Sequence, residues 1–253
     1  MIRPLAAAAL GALASALASA AAACPDPSAT LLFHSCWAGG NVEIRLLPED
    51  LPLPAPDSGT RLIVTGAYTS TESRNGDLSK PVGLFVHRGK VVNPNLGRMD
   101  GILLVDPKSG KPDLQSRAVM RYDGNSYDLR KLDQRHAFVD AARDADISVL
   151  QSHLLIVDGR VDVRPQDDAP VFLRRILFSG AQGFGIYQTA APATLYDAAR
   201  ALADAHAPEM ALNLDMGSYD YCQRQASGTA KSCGLLGADD TAKLSNILVL
   251  QAP

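Results

Sequence analysis

Two short segments of this 253-residue sequence place reactive side chains next to residues that build turns. Asp215 follows an apolar run and precedes Gly217 and Ser218. A carboxylate in that position either forms a turn with its own backbone or acts on a bound ligand. Arg174 and Arg175 are adjacent, and the planar guanidinium suits phosphate and carboxylate groups. Alternation along a strand would send them to opposite faces, which leaves one free to pair with a protein carboxylate.

A third polar group consists of Gln151, Ser152 and His153, which interrupt a long apolar stretch. The ordinary pKa of histidine lies near neutrality and would suit acid or base chemistry at His153. A lone histidine is, however, more often structural. Tyr68 stands at the end of a predicted strand, where an aromatic side chain either packs in the core or contacts a ligand.

Several familiar classes of site are disfavoured. Gly-x-Ser-x-Gly, phosphate-loop and dinucleotide-binding motifs are missing, as is His-Glu-x-x-His. The five histidines are scattered, which argues against zinc: His34, His87, His136, His153 and His206. The net charge of −3 argues against a nucleic-acid partner. We expect no cofactor, although Asn213, Asp215 and Asp220 leave a divalent cation such as calcium open.

The N-terminus is typical of a secretory signal peptide. Arg3 precedes an Ala/Leu stretch from Leu5 to Leu17, and small residues at 21–23 suit a signal peptidase. The stretch is too rich in alanine for a good membrane span. We therefore predict a signal peptide at 1–23 and an exported protein, periplasmic or secreted, with no transmembrane span after cleavage.

The four cysteines fall into two local pairs near the two ends of the mature chain. Three pairings are possible, and we favour Cys24–Cys36 and Cys222–Cys233 because each closes a short loop in an oxidising compartment. Lipidation of Cys24 is the alternative. It is disfavoured because Ala21 stands where a lipidation signal usually has leucine, and because it would leave Cys36 without a partner.

Short apolar runs separated by glycine predict a sheet built largely of hairpins. The predicted strands and hairpins are Arg61–Ala67, Gly83–Val92, Ile102–Val105, Ser148–Val163 around Asp158-Gly159, Val171–Phe178 with Phe184–Gln188, Met210–Leu214 and Ile247–Leu250. Two helices are expected, at about Asp133–Ala145 and from Pro192 to about Ala205. The fold class is therefore α+β: one domain with a mixed, largely antiparallel sheet and a few packed helices. Its predicted parts are an N-terminal segment with a proline-rich crossing at 24–59 and the main domain at 60–253.

Four of these segments, in order, resemble the motifs of the phosphodiester glycosidase family. That family includes the uncovering enzyme, which removes N-acetylglucosamine from a sugar-1-phosphodiester, and many exported bacterial proteins. The segments are Val64–Tyr68 with Pro81–Asn93, Gln151–Arg160, Arg174-Arg175 and Ala211–Ser218, and Ser245–Leu250 is similar to the family's closing strand. The resemblance covers most of the mature chain, from about Arg61 to Leu250.

The resemblance implies a hydrolase that cleaves a glycosyl phosphodiester or a related envelope glycan, with a carbohydrate or glycosyl-phosphate as substrate. Such a site needs a cation on the phosphate and a carboxylate near the anomeric carbon. The implied catalytic residues are Asp215 and Arg175. The implied substrate-binding residues are Arg174, Ser218, Gly217, Gln151, Ser152, His153 and Tyr68.

Three positions depart from the family pattern. Thr65 stands where the family usually has asparagine, His153-Leu154 replaces Gly-Pro, and Met216 replaces the first glycine after the aspartate. These departures favour an alternative function. The chain would then be a catalytically inactive relative that binds a glycan or a partner protein in the cell envelope.

Overall fold

The structure is a computed structural model that describes residues 24–26, 28–54, 59–70, 79–226 and 229–251. The predicted signal peptide at 1–23 lies outside the described residues. Numbered along the chain, the strands are β1 (Leu31–His34), β2 (Asn41–Leu46), β3 (Thr60–Thr65), β4 (Phe85–His87), β5 (Lys90–Asn93), β6 (Gly101–Val105), β7 (Pro112–Ser116), β8 (Met120–Tyr122), β9 (Asn125–Tyr127), β10 (Ser148–Ser152), β11 (Leu154–Val157), β12 (Arg160–Val161), β13 (Arg175–Gly180), β14 (Gly183–Gln188), β15 (Met210–Asn213), β16 (Cys222–Ala226), β17 (Thr229–Ser232) and β18 (Asn246–Gln251). The helices are α1 (Ser35–Ala38), α2 (Leu132–Asp144) and α3 (Leu195–His206), with 3₁₀ turns at Gly217–Tyr219 and Ala238–Lys243.

Three sheets make up most of the described chain. Their strand orders are β1-β14-β13-β15-β11-β12, β5-β4-β10-β6-β7 and β17-β16-β3-β18-β2, and β8 pairs with β9 as a separate hairpin. Neighbouring strands in these sheets run antiparallel. The largely antiparallel pairing is thus confirmed, but the strands form three sheets instead of the one mixed sheet that was predicted. Since strands form 42% of the structure and only two helices exceed one turn, α+β describes the fold only loosely.

The central strands are apolar on both faces because the three sheets share one core and each is also covered outside. In β18, Leu248 and Leu250 belong to the shared core, while Ile247 and Val249 pack in a separate outer cluster. Strands buried on both faces read as continuous apolar runs rather than as alternating ones. This explains why β18 and β6 are so apolar.

The two long helices cover the outer faces of two sheets. Phe138 and Ala142 of α2 pack in the cluster that includes Ile102, and α3 packs on the six-stranded sheet through Ala199 and Leu202. No helix among the described residues is long and apolar enough to cross a membrane.

The predicted start of the second helix at Pro192 is wrong. Thr194 is the N-cap, because its side chain accepts a hydrogen bond from the backbone N–H of Asp197 at 3.1 Å. A capping hydroxyl satisfies one of the free N–H groups at a helix start. This local signal determined the boundary, and Pro192 lies outside the helix.

The predicted hairpins at Gly83–Val92 and at Asp158-Gly159 are confirmed. Arg88 and Asp158 adopt positive φ at the first turn position, each followed by a glycine. The apolar stretch that begins at Ser148 does not, however, stay in one sheet. As β10 it belongs to the sheet β5-β4-β10-β6-β7, which it leaves after Ser152, and as β11 it enters the six-stranded sheet at Leu154. His153 is therefore the residue at which the chain changes sheets.

Both predicted disulfides, Cys24–Cys36 and Cys222–Cys233, are present. In the first disulfide the Cys24 sulfur is bonded to Cys36, so it is not available for attachment of a lipid. The segment that contains residues 31–46 is integrated in the sheets, because β1 pairs with β14 and β2 with β18.

A buried ion pair joins β13 to the segment that follows β15. Arg175, which is fully buried, donates through Nη1 to Asp220 Oδ1 at 2.9 Å and to the Tyr221 carbonyl at 3.3 Å. Its Nε and Nη2 both donate to Gln188 Oε1, at 3.2 and 2.6 Å. The guanidinium is thereby satisfied on both edges, as a charge removed from water must be.

We predict that Asp220→Ala destabilises the protein by about 3–5 kcal/mol, since it leaves the buried Arg175 charge without a partner. The measurement is the free energy of unfolding in urea. As a matched control, Asp140→Ala removes the exposed partner of Arg143 and should cost less than about 1 kcal/mol. A loss at Asp220 no larger than that of the control would contradict the structural role of the pair.

Candidate functional site

A cavity of about 150 Å³ lies where three chain segments meet. These are the loop after β3, the residues just before β13 and the segment after β15. The residues lining the cavity are Tyr68, Phe172, Leu173, Arg174, Asn213, Leu214, Asp215, Met216 and Gly217. Four residues predicted from the sequence, Tyr68, Arg174, Asp215 and Gly217, are therefore brought together here.

Asp215 is held in place by the loop that follows β3. Its N–H donates to the Gly66 carbonyl at 2.9 Å, and its Oδ2 accepts from the Thr69 N–H at 3.0 Å. The loop is in turn fixed by Asn246, whose side chain bonds both the N–H and the carbonyl of Ala67. Asn246 approaches Gly66 so closely that its Oδ1 would clash with any Cβ there, which explains the glycine.

Burial dominates the electrostatics of Asp215. The residue is 5% exposed, and desolvation raises the pKa of its carboxyl from 3.8 to about 6, despite the hydrogen bonds from the Thr69 and Met216 backbones. Removal from water penalises the charged form of a carboxyl group. Asp215 can therefore change its protonation state near neutral pH, as acid–base and nucleophilic carboxylates in active sites do.

Arg174 contributes a cation to the same cavity. Its Nε donates to the Ala193 carbonyl at 3.0 Å and its Nη2 to the Pro170 carbonyl at 2.7 Å. The guanidinium lies 5.1 Å from the centre of the Phe172 ring, and burial lowers its pKa. Within the described part of the chain it makes no ion pair. A largely buried guanidinium bound only to neutral groups is prepared to receive an anion.

Tyr68 and Asn213 form a hydrogen-bonded pair at the cavity. Asn213 Nδ2 donates to the Tyr68 hydroxyl at 2.5 Å and to the Leu214 carbonyl at 2.9 Å. Burial and the Asp215 charge raise the pKa of Tyr68 to about 12. Asn213 is 2% exposed, and its Oδ1 has no hydrogen-bond partner among the described residues. A buried acceptor without a partner is costly.

His153 lies beside the cavity rather than in its lining. Its ring meets Tyr68 edge-on, with centroids 5.7 Å apart. Burial lowers its pKa, with the Asp100 charge opposing that shift and the Arg174 charge adding to it. The imidazole therefore favours the neutral form, and its ring contacts the cavity-lining residue Tyr68.

Gln151 and Ser152 do not line the cavity and serve as framework residues. The Gln151 amide is fully used within the fold: Oε1 accepts from the N–H groups of Leu84 and Gly97, and Nε2 donates to the Met99 carbonyl. Ser152 donates to the Asn213 carbonyl. Both residues are completely buried, so neither has a group directed at a ligand.

Arg175 and Ser218 are not in the cavity lining either. Arg175 projects from β13 into the interior toward Asp220, as alternation along a strand allows. Ser218 is exposed in the 3₁₀ turn. The predicted oxygen cluster of Asn213, Asp215 and Asp220 does not form at the cavity, because Asp220 Oδ1 binds Arg175 and Oδ2 accepts from the Leu235 N–H.

One residue that lines the cavity, Phe172, was not predicted from the sequence. Phe172 is 52% exposed, an unusual position for a large aromatic side chain, and its ring lies near the Arg174 guanidinium. An exposed aromatic ring beside a cavity offers a flat apolar face on which a ligand can stack. Its position within the run Val171–Arg175 hid this role, because the predicted strand included it.

Comparisons with solved structures show a distant structural relationship. The catalytic domain of zebrafish N-acetylglucosamine-1-phosphodiester alpha-N-acetylglucosaminidase, auto-inhibited by its pro-peptide, matches with a TM-score of 0.50 at 12% identity, over 87% of this chain and 74% of that one. A hypothetical protein from Synechocystis matches with a TM-score of 0.50 at 14% identity, over 85% and 57%. A Burkholderia pseudomallei protein described as exported matches with a TM-score of 0.51 at 12% identity, over 84% and 71%. No family model and no curated protein matches the chain. At these identities the likeness shows that the chain shares their fold.

Proposed function

We propose that this protein is an exported hydrolase that cleaves a glycosyl phosphodiester at the cavity between β3, β13 and β15. The observation that carries the proposal is one pairing of groups. Arg174, a largely buried guanidinium that makes no ion pair with any described residue, and Asp215, a carboxyl group with a pKa of about 6, line the same cavity. The shared fold with a phosphodiester glycosidase supports it, as do the two disulfides for export.

The chemistry assigns a different task to each group. Cleavage at the anomeric carbon expels a phosphate monoester, a weak base that needs little help from a general acid. Arg174 would bind the phosphate and stabilise the charge that develops on it. Asp215 in its ionised form would stabilise the oxocarbenium-like transition state, either as nucleophile or as the base that activates water.

The phosphate contact is therefore proposed for Arg174 rather than for Arg175. Arg175 has no solvent-accessible surface, and its donors are occupied by Asp220, Gln188 and Tyr221. It supports the site from below. The remaining ligand contact is proposed for Phe172, as a stacking surface.

One observation favours the second candidate function, a binding protein without turnover. Met216 lines the cavity at a position where the phosphodiester glycosidase family has glycine. The cavity of about 150 Å³ is also small for a whole substrate. In this alternative a glycan or glycosyl phosphate binds at the same residues, and it raises the unfolding temperature without being cleaved.

Replacing Asp215 tests the main proposal. We expect the mature protein to hydrolyse an aryl phosphodiester of a sugar 1-phosphate, and Asp215→Asn to lower kcat by about 10²–10⁴-fold, as for loss of a catalytic carboxylate. The assay is release of the sugar and of the aryl phosphate. Stabilisation of the folded wild type by these substrates without turnover would support the binding protein instead.

The same residue predicts two opposite pH effects. If the ionised form of Asp215 acts, kcat/KM should rise through pH 6 and then level off, and it should not fall above that pH. The Asp215 contribution to the free energy of unfolding should instead fall as the pH rises from about 4 to about 6. The raised pKa means that the folded state binds more protons than the unfolded state between about pH 4 and pH 6, so this contribution to stability is lost as pH rises across that window. A difference of two pKa units corresponds to about 3 kcal/mol.

The Asp215→Asn variant isolates the stability effect. Its free energy of unfolding should not show the Asp215-dependent decline between pH 4 and pH 6, which urea titrations at several pH values would reveal. Parallel profiles for the variant and the wild type would contradict the raised pKa.

Arg174 is tested by changing the substrate as well as the residue. We expect Arg174→Ala to lower kcat/KM for the phosphodiester by about 10–100-fold, the value of a charge-assisted hydrogen bond. An aryl glycoside of the same sugar without phosphate should be much less affected. Arg174→Lys keeps the charge but not the planar fork, so its kcat/KM for the phosphodiester should lie between those of the wild type and Arg174→Ala. Equal losses on both substrates would show that Arg174 acts on the fold and not on phosphate.

A further inference from the structure

A group of metal-ligating side chains lies far along the chain from the cavity residues, at the N-terminal disulfide. The side-chain ligand atoms of Cys24, His34 and Cys36 all lie within 4.8 Å of one another. Among the described residues they are the only three His, Cys, Asp or Glu side chains grouped in this way. His34 is the last residue of β1 and the N-cap of α1, and Cys36 lies within α1.

The tautomer of His34 is determined by its hydrogen bond. The backbone N–H of Cys36 donates to His34 Nδ1 at 3.3 Å, and the Cys36 Sγ lies 2.7 Å from the same nitrogen. Nδ1 therefore carries the lone pair of the ring, which accepts from the Cys36 N–H and lies beside the sulfur. Neutral imidazole with an unprotonated Nδ1 is the form that binds a metal, and coordination at Nδ1 would replace its bond to the Cys36 N–H.

The protein fixes the histidine and leaves the sulfurs accessible. His34 is 3% exposed and packs against the Phe178 ring at 5.8 Å between centroids. Cys24 and Cys36 are both exposed. A rigid nitrogen ligand beside two accessible sulfurs allows a reductant and then an ion to reach the site from solvent.

The distances suit a tetrahedral ion once the disulfide is opened. With metal–sulfur bonds of about 2.3 Å and a metal–nitrogen bond of about 2.0 Å, the two sulfurs would lie about 3.8 Å apart and each about 3.5 Å from the nitrogen. All three separations are within the 4.8 Å that the group already spans. The sulfurs must part by roughly 2 Å from their bonded distance.

A second cavity adjoins this group and provides room for a fourth ligand. It has a volume of about 460 Å³ and is lined by His34, by Pro25 next to Cys24, and by Asp204 and His206 from the end of α3. The Asp204 carboxylate adds negative charge, which favours a cation. A site with three protein ligands and an open position is the arrangement of zinc sites that bind a further molecule.

We propose that the Cys24–Cys36 disulfide is a redox-gated site for a thiophilic d¹⁰ cation, with Zn²⁺ as the representative ion. A dithiol reductant transfers two electrons and two protons to the disulfide, becomes a cyclic disulfide itself and leaves two thiols. Zn²⁺ then binds both sulfurs and His34 Nδ1, and the two thiol protons are released to solvent. The oxidised protein does not bind the ion, because its sulfurs are bonded to each other.

The other disulfide is an internal control. Cys222 is completely buried, and the described residues place no third His, Cys, Asp or Glu ligand with Cys222 and Cys233. Reduction at that disulfide would offer two sulfurs without a nitrogen. It should therefore give much weaker binding.

The experiment titrates Co²⁺, as a spectroscopic substitute for Zn²⁺, into the mature protein before and after reduction by a phosphine that is removed by gel filtration before the ion is added. We expect only the reduced protein to show thiolate-to-cobalt charge-transfer bands and tetrahedral d–d bands, at one equivalent of Co²⁺, and we expect Zn²⁺ to displace the Co²⁺. Cys24→Ser should abolish the bands. His34→Gln, which keeps an acceptor for the Cys36 N–H, should weaken binding at least tenfold.

Variant folding is checked by thermal unfolding of the oxidised His34→Gln protein, and Cys222→Ser/Cys233→Ser serves as the matched control. Full binding by that control supports the proposal. Three results would overturn it: no charge-transfer band in the reduced wild type, equal affinity in the His34→Gln variant, or bands that survive in Cys24→Ser and disappear in the control.

Discussion

The buried ion pair between Arg175 and Asp220 is the interaction on which the candidate site depends. Asp220 ends the 3₁₀ turn that follows Asp215, and Arg175 opens β13. The pair therefore fixes the segment that contains the carboxylate against the strand that follows the cation. Because side chains alternate along an extended chain, the residue directed inward forms the anchor, and its neighbour Arg174 faces the cavity. One dipeptide thus serves both the fold and the site.

The same region combines satisfied and unsatisfied polar groups in a consistent pattern. Outside the cavity lining, Arg175, Gln151 and Ser152 have their hydrogen bonds completed within the protein. At the cavity, Asp215 is desolvated, and Asn213 Oδ1 has no partner among the described residues. Such groups lower the stability of the folded protein. This contrast separates the framework from the candidate site better than residue type does.

Much of the sheet could be predicted because its causes are local. Glycine turns determined the hairpins, and apolar runs determined strands such as β18 and β6. The change of sheet at His153 could not be predicted, because it depends on Leu154 donating to Asp100 Oδ1, more than fifty residues earlier. The same limit applies to the two arginines. Alternation predicts that they diverge, but only the position of Asp220 decides which one is buried.

The three departures from the family pattern have different physical consequences, and this bears on the choice between enzyme and binding protein. Thr65 is completely buried, and its hydroxyl donates to the Tyr219 carbonyl while accepting from the Tyr221 N–H. It therefore holds the turn between Asp215 and Asp220, a framework task that is compatible with catalysis. His153 lies outside the cavity lining and contacts it through the Tyr68 ring and through its carbonyl, which accepts from the Asn213 N–H at 2.9 Å. Met216 alone enters the cavity lining, so it is the departure that can reshape the space beside the carboxylate. Under the proposed function, Met216 would therefore affect which substrate fits and would leave the groups of Asp215 and Arg174 in place.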